Sequence, residues 1–345
     1  MDWLFGYIFS VIRISLLSSL CCKFLIDAEA GIVGVNYGML GDNLPTPDKV
    51  ILLLQSRNIT RIRLFDPNPD ALKALDGSGI DVVLGTLNDD LQRLGSDPLF
   101  AKNWIKINVV PHAKTIHFRC ITAGNEVVPS ELAVHVLPAM KNLQMALKAI
   151  NLTIPVSTAV STAVLGTSFP PSQGAFSTEV SSVMRSITAF LAANKSPLLV
   201  NIYPYFAYIY DQNNILLDYA LFNTTKVVVR DGTLGYKNLF DAIIDATYSA
   251  LEKVGGASVD IVISESGWPS AENGDIATIR NARMYNNNLI AHALGNSGSP
   301  KRPGKCLETY VFAIFNEDLK PPGTEQNFGL FYPNMTEVYH VSFYP

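Results

Sequence analysis

Residues that cross-link small proteins or bind transition metals are scarce in this chain, with 4 cysteines and 5 histidines among 345 residues. Cys21 and Cys22 lie in an apolar N-terminal stretch. The remaining pair, Cys120 and Cys306, is no disulfide framework and is expected to be two buried thiols; the spacing supports no His/Cys metal site. His112, His117, His135, His292 and His340 all fall outside the motifs described below. A strong charge of either sign is also missing: a formal net charge of −4 gives no basic field, which argues against nucleic acid as a partner. No G-x-S-x-G surrounds a serine, which argues against a Ser-His-Asp hydrolase. Without a G-x-G-x-x-G or a P-loop, no nucleotide cofactor is implied. The expectation is a protein with neither cofactor nor metal.

What the chain does have is apolar residues, at 48% of the total, enough for a sizeable core. Its length fits one large α/β barrel or two modest domains. Short β-branched runs alternate with helical patterns, as expected for parallel strands joined by crossover helices. The expected strands are Ile32–Tyr37, Thr60–Phe65, Asp81–Thr86, Ile116–Ala123, Pro155–Val160, Leu198–Tyr203, Val259–Glu265 and Thr309–Phe315. Eight such strands match a closed (β/α)8 TIM barrel. Between them, Pro47–Ser56 and Pro138–Ile150 carry apolar stripes at helical spacing. There is no repeat, low-complexity tract or interdomain linker, so residues 31–345 read as one domain, taken to act as a monomer.

Residues 1–30 read as a cleaved signal peptide: Leu4 to Leu25 is largely apolar, and Ala28-Glu29-Ala30 gives an A-x-A site. Arg13 and Lys23 interrupt the apolar stretch and argue against a membrane span. Glycosylation sequons at Asn58, Asn151, Asn194, Asn223 and Asn334 are compatible with secretion to the extracellular space. The C-terminal residues lack the apolar tail that a glycolipid anchor requires.

Two carboxylate motifs say most about function. Gly124-Asn125-Glu126 and Ser264-Glu265-Ser266-Gly267-Trp268-Pro269-Ser270 each put one Glu after a run that reads as a buried strand. At the C-terminal ends of barrel strands 4 and 7, two carboxylates can face each other across one pocket. Glycosidic cleavage needs such a pair: one group protonates the leaving oxygen, and the other attacks or activates water. The 14 Tyr and 17 Phe suit sugar binding, because aromatic faces pack against the C–H faces of pyranose rings.

With these motifs the chain resembles the plant endo-β-1,3-glucanases of glycoside hydrolase family 17 from about Gly31 onward. The likeness extends to Gly34-Val35-Asn36-Tyr37-Gly38, Arg61-Ile62-Arg63-Leu64-Phe65-Asp66-Pro67, Val156-Ser157-Thr158-Ala159, the segment from Leu198 to Phe206, Phe315-Asn316-Glu317 and Phe328-Gly329-Leu330-Phe331. The resemblance implies a secreted endo-hydrolase of β-1,3-glucans such as callose, laminarin or fungal wall glucan, acting by retaining double displacement. Glu265 would be the nucleophile and Glu126 the acid/base. Tyr203 is then expected to donate its hydroxyl to Glu265, and Asn125 to hold the sugar 2-hydroxyl. Glu317, Lys320 and Glu325 are expected beside the pair, with Lys320 keeping the neighbouring carboxylates ionised. Tyr37, Arg63, Tyr205, Phe206 and Phe328 are expected to line the groove, whereas Trp268 is open to either packing or function. Two other readings stay open: a β-1,3;1,4-glucanase using the same pair, and a silent glucan-binding protein.

Overall fold

The structure, a computed structural model, describes residues 33–344. The expected leader over residues 1–30 lies outside them. Eight parallel strands close a barrel in chain order: β1 (Val33–Tyr37), β2 (Arg61–Leu64), β3 (Asp81–Gly85), β4 (Phe118–Asn125), β5 (Val156–Ser161), β6 (Leu198–Asn201), β7 (Ile261–Ser266) and β8 (Thr309–Val311). Val33 beside Thr309 completes the ring. Helices cover the outside, so outward-facing strand residues such as Val35, Ile62, Leu64, Val82 and Ile121 are buried against them.

Inward-facing residues alternate with these, and they stack in layers along the barrel axis. The lowest layer is ionic. Glu308 accepts hydrogen bonds from Arg119 Nη2 and the Tyr310 hydroxyl, both at 2.8 Å, and Arg61 Nη1 lies 3.1 Å away. Burial alone would raise the Glu308 carboxyl, but the Arg119 hydrogen bond and the charges of Arg61 and Arg119 hold it below the usual range. Above this lies an apolar layer of Val83, Cys120, Ala159, Leu199, Val262 and Tyr310. Gly34 leaves room for that tyrosine: a Cβ there would meet the Tyr310 ring at 2.7 Å. Higher still, Asn36, Arg63, Asn201 and Ser264 form a buried polar layer that supports the site.

The pairing register shifts where the carboxylates sit. Between β4 and β5 it slips between Thr122 and Asn125, and between β7 and β6 it slips between Ile263 and Glu265. Such bulges re-aim side chains beside active sites. Gly124 has φ +74°, and a Cβ on it would meet Val127 at 2.7 Å and Leu91 at 2.8 Å, which explains the glycine of the first motif.

Strand ends shift by one or two residues from expectation, as in β4 and β7, and three further elements differ. β6 ends at Asn201 because Tyr203 caps the next helix, Pro204–Tyr210, with proline at its first position. β8 stops at Val311 because Ala313 N turns out of the barrel to Phe328 O, although Ile314 N still donates to Asn36 O of β1. The helix expected from Pro138 runs from Ala133 to Lys148 instead, with Pro138 inside it. Its early turns bury Val136 and Ala139, and Asn142 Nδ2 donates to Leu94 O at 2.8 Å, so tertiary packing extends it past the proline.

Candidate active site

A cleft of about 1050 Å3 opens at the C-terminal end of the barrel, and its wall draws on residues at or just after the C-terminal ends of all eight strands. Glu126 and Glu265 are both on its floor. Glu126 follows β4 in a left-handed turn (φ 55°), where Glu126 N donates to Ala159 O at 2.9 Å. Glu265 is the second-last residue of β7 and is nearly buried, at 6% exposure.

The two carboxylates are in different surroundings. Glu265 accepts from Arg63 Nη1 at 2.7 Å and Asn201 Nδ2 at 2.8 Å on Oε1, and from the Tyr203 hydroxyl at 2.8 Å on Oε2. Three donors, one of them a buried guanidinium, stabilise an anion. Glu126 receives one of these donors, Asn201 Nδ2 at 2.8 Å. The cleft walls strip water from its carboxyl, and the Glu265 charge adds to this, so its pKa is raised; the Asn201 hydrogen bond and the Arg63 charge oppose the rise, and Glu325 adds to it. The Tyr203 hydroxyl is pushed well above its ordinary value by burial and then by the Glu265 charge, so it stays a neutral donor. A carboxyl whose pKa is raised beside one that accepts from three donors is the division of labour that acid and nucleophile require.

Asn201 organises the pair, and the sequence reading missed it. Its Oδ1 accepts from the Ser264 hydroxyl at 2.6 Å, which turns its amide nitrogen to Glu126, Glu265 and Asn125 Oδ1. The one available signal was a polar residue ending the apolar run Leu198-Leu199-Val200, two places after inward-facing Leu199. Asn125 Oδ1 also accepts from Arg63 Nη2 at 2.8 Å. With its oxygen engaged, the Asn125 amide lines the cleft as a donor.

Tyr37, Phe206 and Phe328 line the cleft, as do Tyr203, Glu317, Lys320 and Glu325. Burial and the Asp48 charge push the Tyr37 hydroxyl up to about 12. Two residues expected along the groove lie elsewhere. Arg63 points into the barrel interior, 1% exposed, where it braces Glu265 and Asn125 from below. Tyr205 turns away from the cleft because neighbouring positions on a helix face different sides. Its ring meets Trp268 at 5.1 Å, and its hydroxyl accepts from Asn273 Nδ2 at 2.9 Å. Trp268 is fully buried, its Nε1 donating to Ile276 O, so it packs the loop after β7.

Lys320 lies in the expected cluster, against Glu317. Its ammonium lies 3.4 Å from Glu317 and 4.2 Å from the centre of the Phe312 ring. Glu317 is buried, and Leu40 N donates to it at 2.9 Å. Arg63 is the cation in contact with Glu265, while Lys320 pairs with Glu317. Gly38 permits that arrangement, since a Cβ there would come within 2.5 Å of the Glu317 carboxyl carbon. Away from the cleft, Cys120 is buried in the barrel and Cys306 is half-buried. Among the described residues no group of three or more His, Cys, Asp or Glu could hold a metal, and no helix is long and apolar enough to cross a membrane.

Residues 33–343 match the family model described as Glycosyl hydrolases family 17. A glucan endo-1,3-beta-glucosidase of Vitis vinifera is 51% identical over 325 residues, covering 92% of this chain and 93% of its own length. Lichenase-2 of Hordeum vulgare is 47% identical over 312 residues, covering 90% of this chain and 98% of its own length. Among solved structures, CJP38, a beta-1,3-glucanase and allergen of Cryptomeria japonica pollen, superposes with a TM-score of 0.88 at 48% identity, covering 91% of this chain and 99% of its own.

Proposed function

The chain belongs to glycosyl hydrolase family 17, and from that membership we propose that it is an endo-β-1,3-glucanase acting with retention of anomeric configuration. Glu265 attacks the anomeric carbon, and Glu126 gives its proton to the departing glycosidic oxygen. Glu126, now a carboxylate, then takes a proton from water, and that water displaces Glu265 from the covalent glycosyl ester. Tyr203, Asn201 and Arg63 hold Glu265 for attack, and the Asn125 amide donates to the sugar 2-hydroxyl. Glu317, Lys320 and Glu325 shape the floor beside the pair.

One observation carries this reading: Asn201 Nδ2 lies 2.8 Å from an oxygen of each carboxylate. The two oxygens are then separated by at most twice that distance. Retaining enzymes hold their carboxyl groups about 5–5.5 Å apart and inverting ones about 6.5–9.5 Å, so the shared donor favours double displacement.

Likeness to Lichenase-2 favours a second reading, a β-1,3;1,4-glucanase with the same pair. Reducing-end release from laminarin and from barley mixed-linkage glucan, measured side by side, separates the two. Cleavage confined to laminarin supports the 1,3-specific reading, a preference for barley glucan overturns it, and activity on neither leaves a glucan-binding protein. We further propose that the mature chain is a secreted glycoprotein and that it meets callose or fungal wall glucan outside the cell.

A further inference from the structure

The aromatic residues after β6 continue outward past the residues already described. Tyr203 touches Glu265 through its hydroxyl, and its ring meets Phe206 edge-on at 5.3 Å. Phe206 lines the cleft with 40% of its surface exposed. Four places further along the same helix, Tyr210 also lines the cleft and is 94% exposed. Among the described residues its side chain makes no hydrogen bond, ion pair or ring contact. Tyr210 therefore contributes nothing to the core that the fold would miss.

Positions i and i+4 share one helix face, just over one turn and about 6 Å apart along the axis. That step is comparable with the length of one pyranose unit. Ala207, between them on the same helix, also lines the cleft and leaves the path along that face unobstructed. A tyrosine ring is large, rigid and apolar on its faces while its hydroxyl stays wet, which matches the alternating C–H and hydroxyl surfaces of a sugar.

We propose that Tyr210 is a stacking platform that adds one glucose-binding position to the cleft, one unit beyond Phe206. This inference rests on the glucanase reading above. It makes Tyr210 a determinant of the chain length the enzyme prefers, acting on bound sugar and not on the reacting atoms.

The test is kinetics on laminari-oligomers of increasing length, comparing wild type with Tyr210→Ala, Tyr210→Phe and Tyr210→Trp. In wild type, kcat/KM should climb with each added unit until the outer position is filled. Tyr210→Ala should remove the last step of that climb, a loss of about fivefold at long lengths relative to the shortest cleaved oligomer, equivalent to about 1 kcal/mol. The loss should fall on KM, and the aromatic variants should keep the step. Melting temperatures should not move, since nothing packs on the ring. A climb unchanged in Tyr210→Ala, or a loss equal at every length, overturns the proposal. Calorimetric titration with laminarihexaose, with each Tyr210 variant combined with Glu265→Gln, reads the same contact without turnover. A protein that hydrolyses no glucan would thus overturn the function proposed above, while the Tyr210 contact would still be judged by the difference in binding.

Discussion

Glu126 and Glu265 take hydrogen bonds from one and the same nitrogen, the side-chain amide of Asn201, at 2.8 Å each. An amide nitrogen has two hydrogens, and Asn125 Oδ1 at 3.1 Å is a third acceptor, so the contacts are shared. This joint donor ties the two carboxylates together at the centre of the cleft. Glu265 has Arg63 and Tyr203 in addition, and Glu126 does not.

Glu265→Gln should abolish turnover while leaving glucan binding largely intact, because the change is nearly isosteric. Glu126→Gln should lower kcat on natural glucans by roughly 10²–10⁴-fold, the usual scale of general acid catalysis. On glucosides with an activated leaving group, whose departure needs no proton, the first step should largely survive. Equal loss on both substrate types, measured by steady-state kinetics, would remove Glu126 from the acid role.

Asn201→Ala should lower kcat/KM by about 10²-fold, as for loss of a preorganised donor. The pH profile should move as well. Wild-type Glu126 already sits above the ordinary carboxylate range, and its hydrogen bond with Asn201 pulls it down. Removing that bond favours the protonated form, so the alkaline limb of kcat/KM should shift to higher pH. A limb that stays put or moves down would contradict the shared-donor account.

Arg63→Lys should be severe despite the retained charge. The guanidinium reaches Glu265 with one nitrogen and Asn125 with the other, a two-pronged contact that an ammonium cannot make. Arg63→Met should also destabilise the fold by about 3–5 kcal/mol, because it leaves Glu265 buried without its partner. Urea unfolding with and without the substitution measures this; a difference within error would show that the pair is not coupled to stability.

Glu308→Gln should destabilise the barrel at neutral pH by about 3–5 kcal/mol, since Arg119 would lose its carboxylate and Arg61 would keep only Asp81, 3.5 Å away. The folded-state pKa of Glu308 is depressed. Its stabilisation is therefore present above the unfolded-state value of about 4.3 and is lost as pH falls through the folded value. The gap between wild type and variant in thermal unfolding should narrow as the buffer is taken below about pH 4. A gap independent of pH would mean the ionic layer contributes through packing alone.

The barrel and the position of its two carboxylates were legible in the linear chain because both depend on local pattern. β-branched runs such as Val33–Tyr37 and Val156–Ser161 form strands wherever helices cover them, and a Glu just past such a run falls at the reactive end of a parallel barrel. Which polar side chains meet beneath those carboxylates was decided by closure of the ring. Asn201 reaches Glu126 across 75 positions and Glu265 across 64, and Arg63 reaches Glu265 across 202. No periodicity within one segment specifies such pairs; they follow from strand register and from bulges between neighbours. For the same reason Tyr205 and Phe206, adjacent in the chain, part company: the helix turns one into the core and the other to the cleft, and only the packed helix settles which.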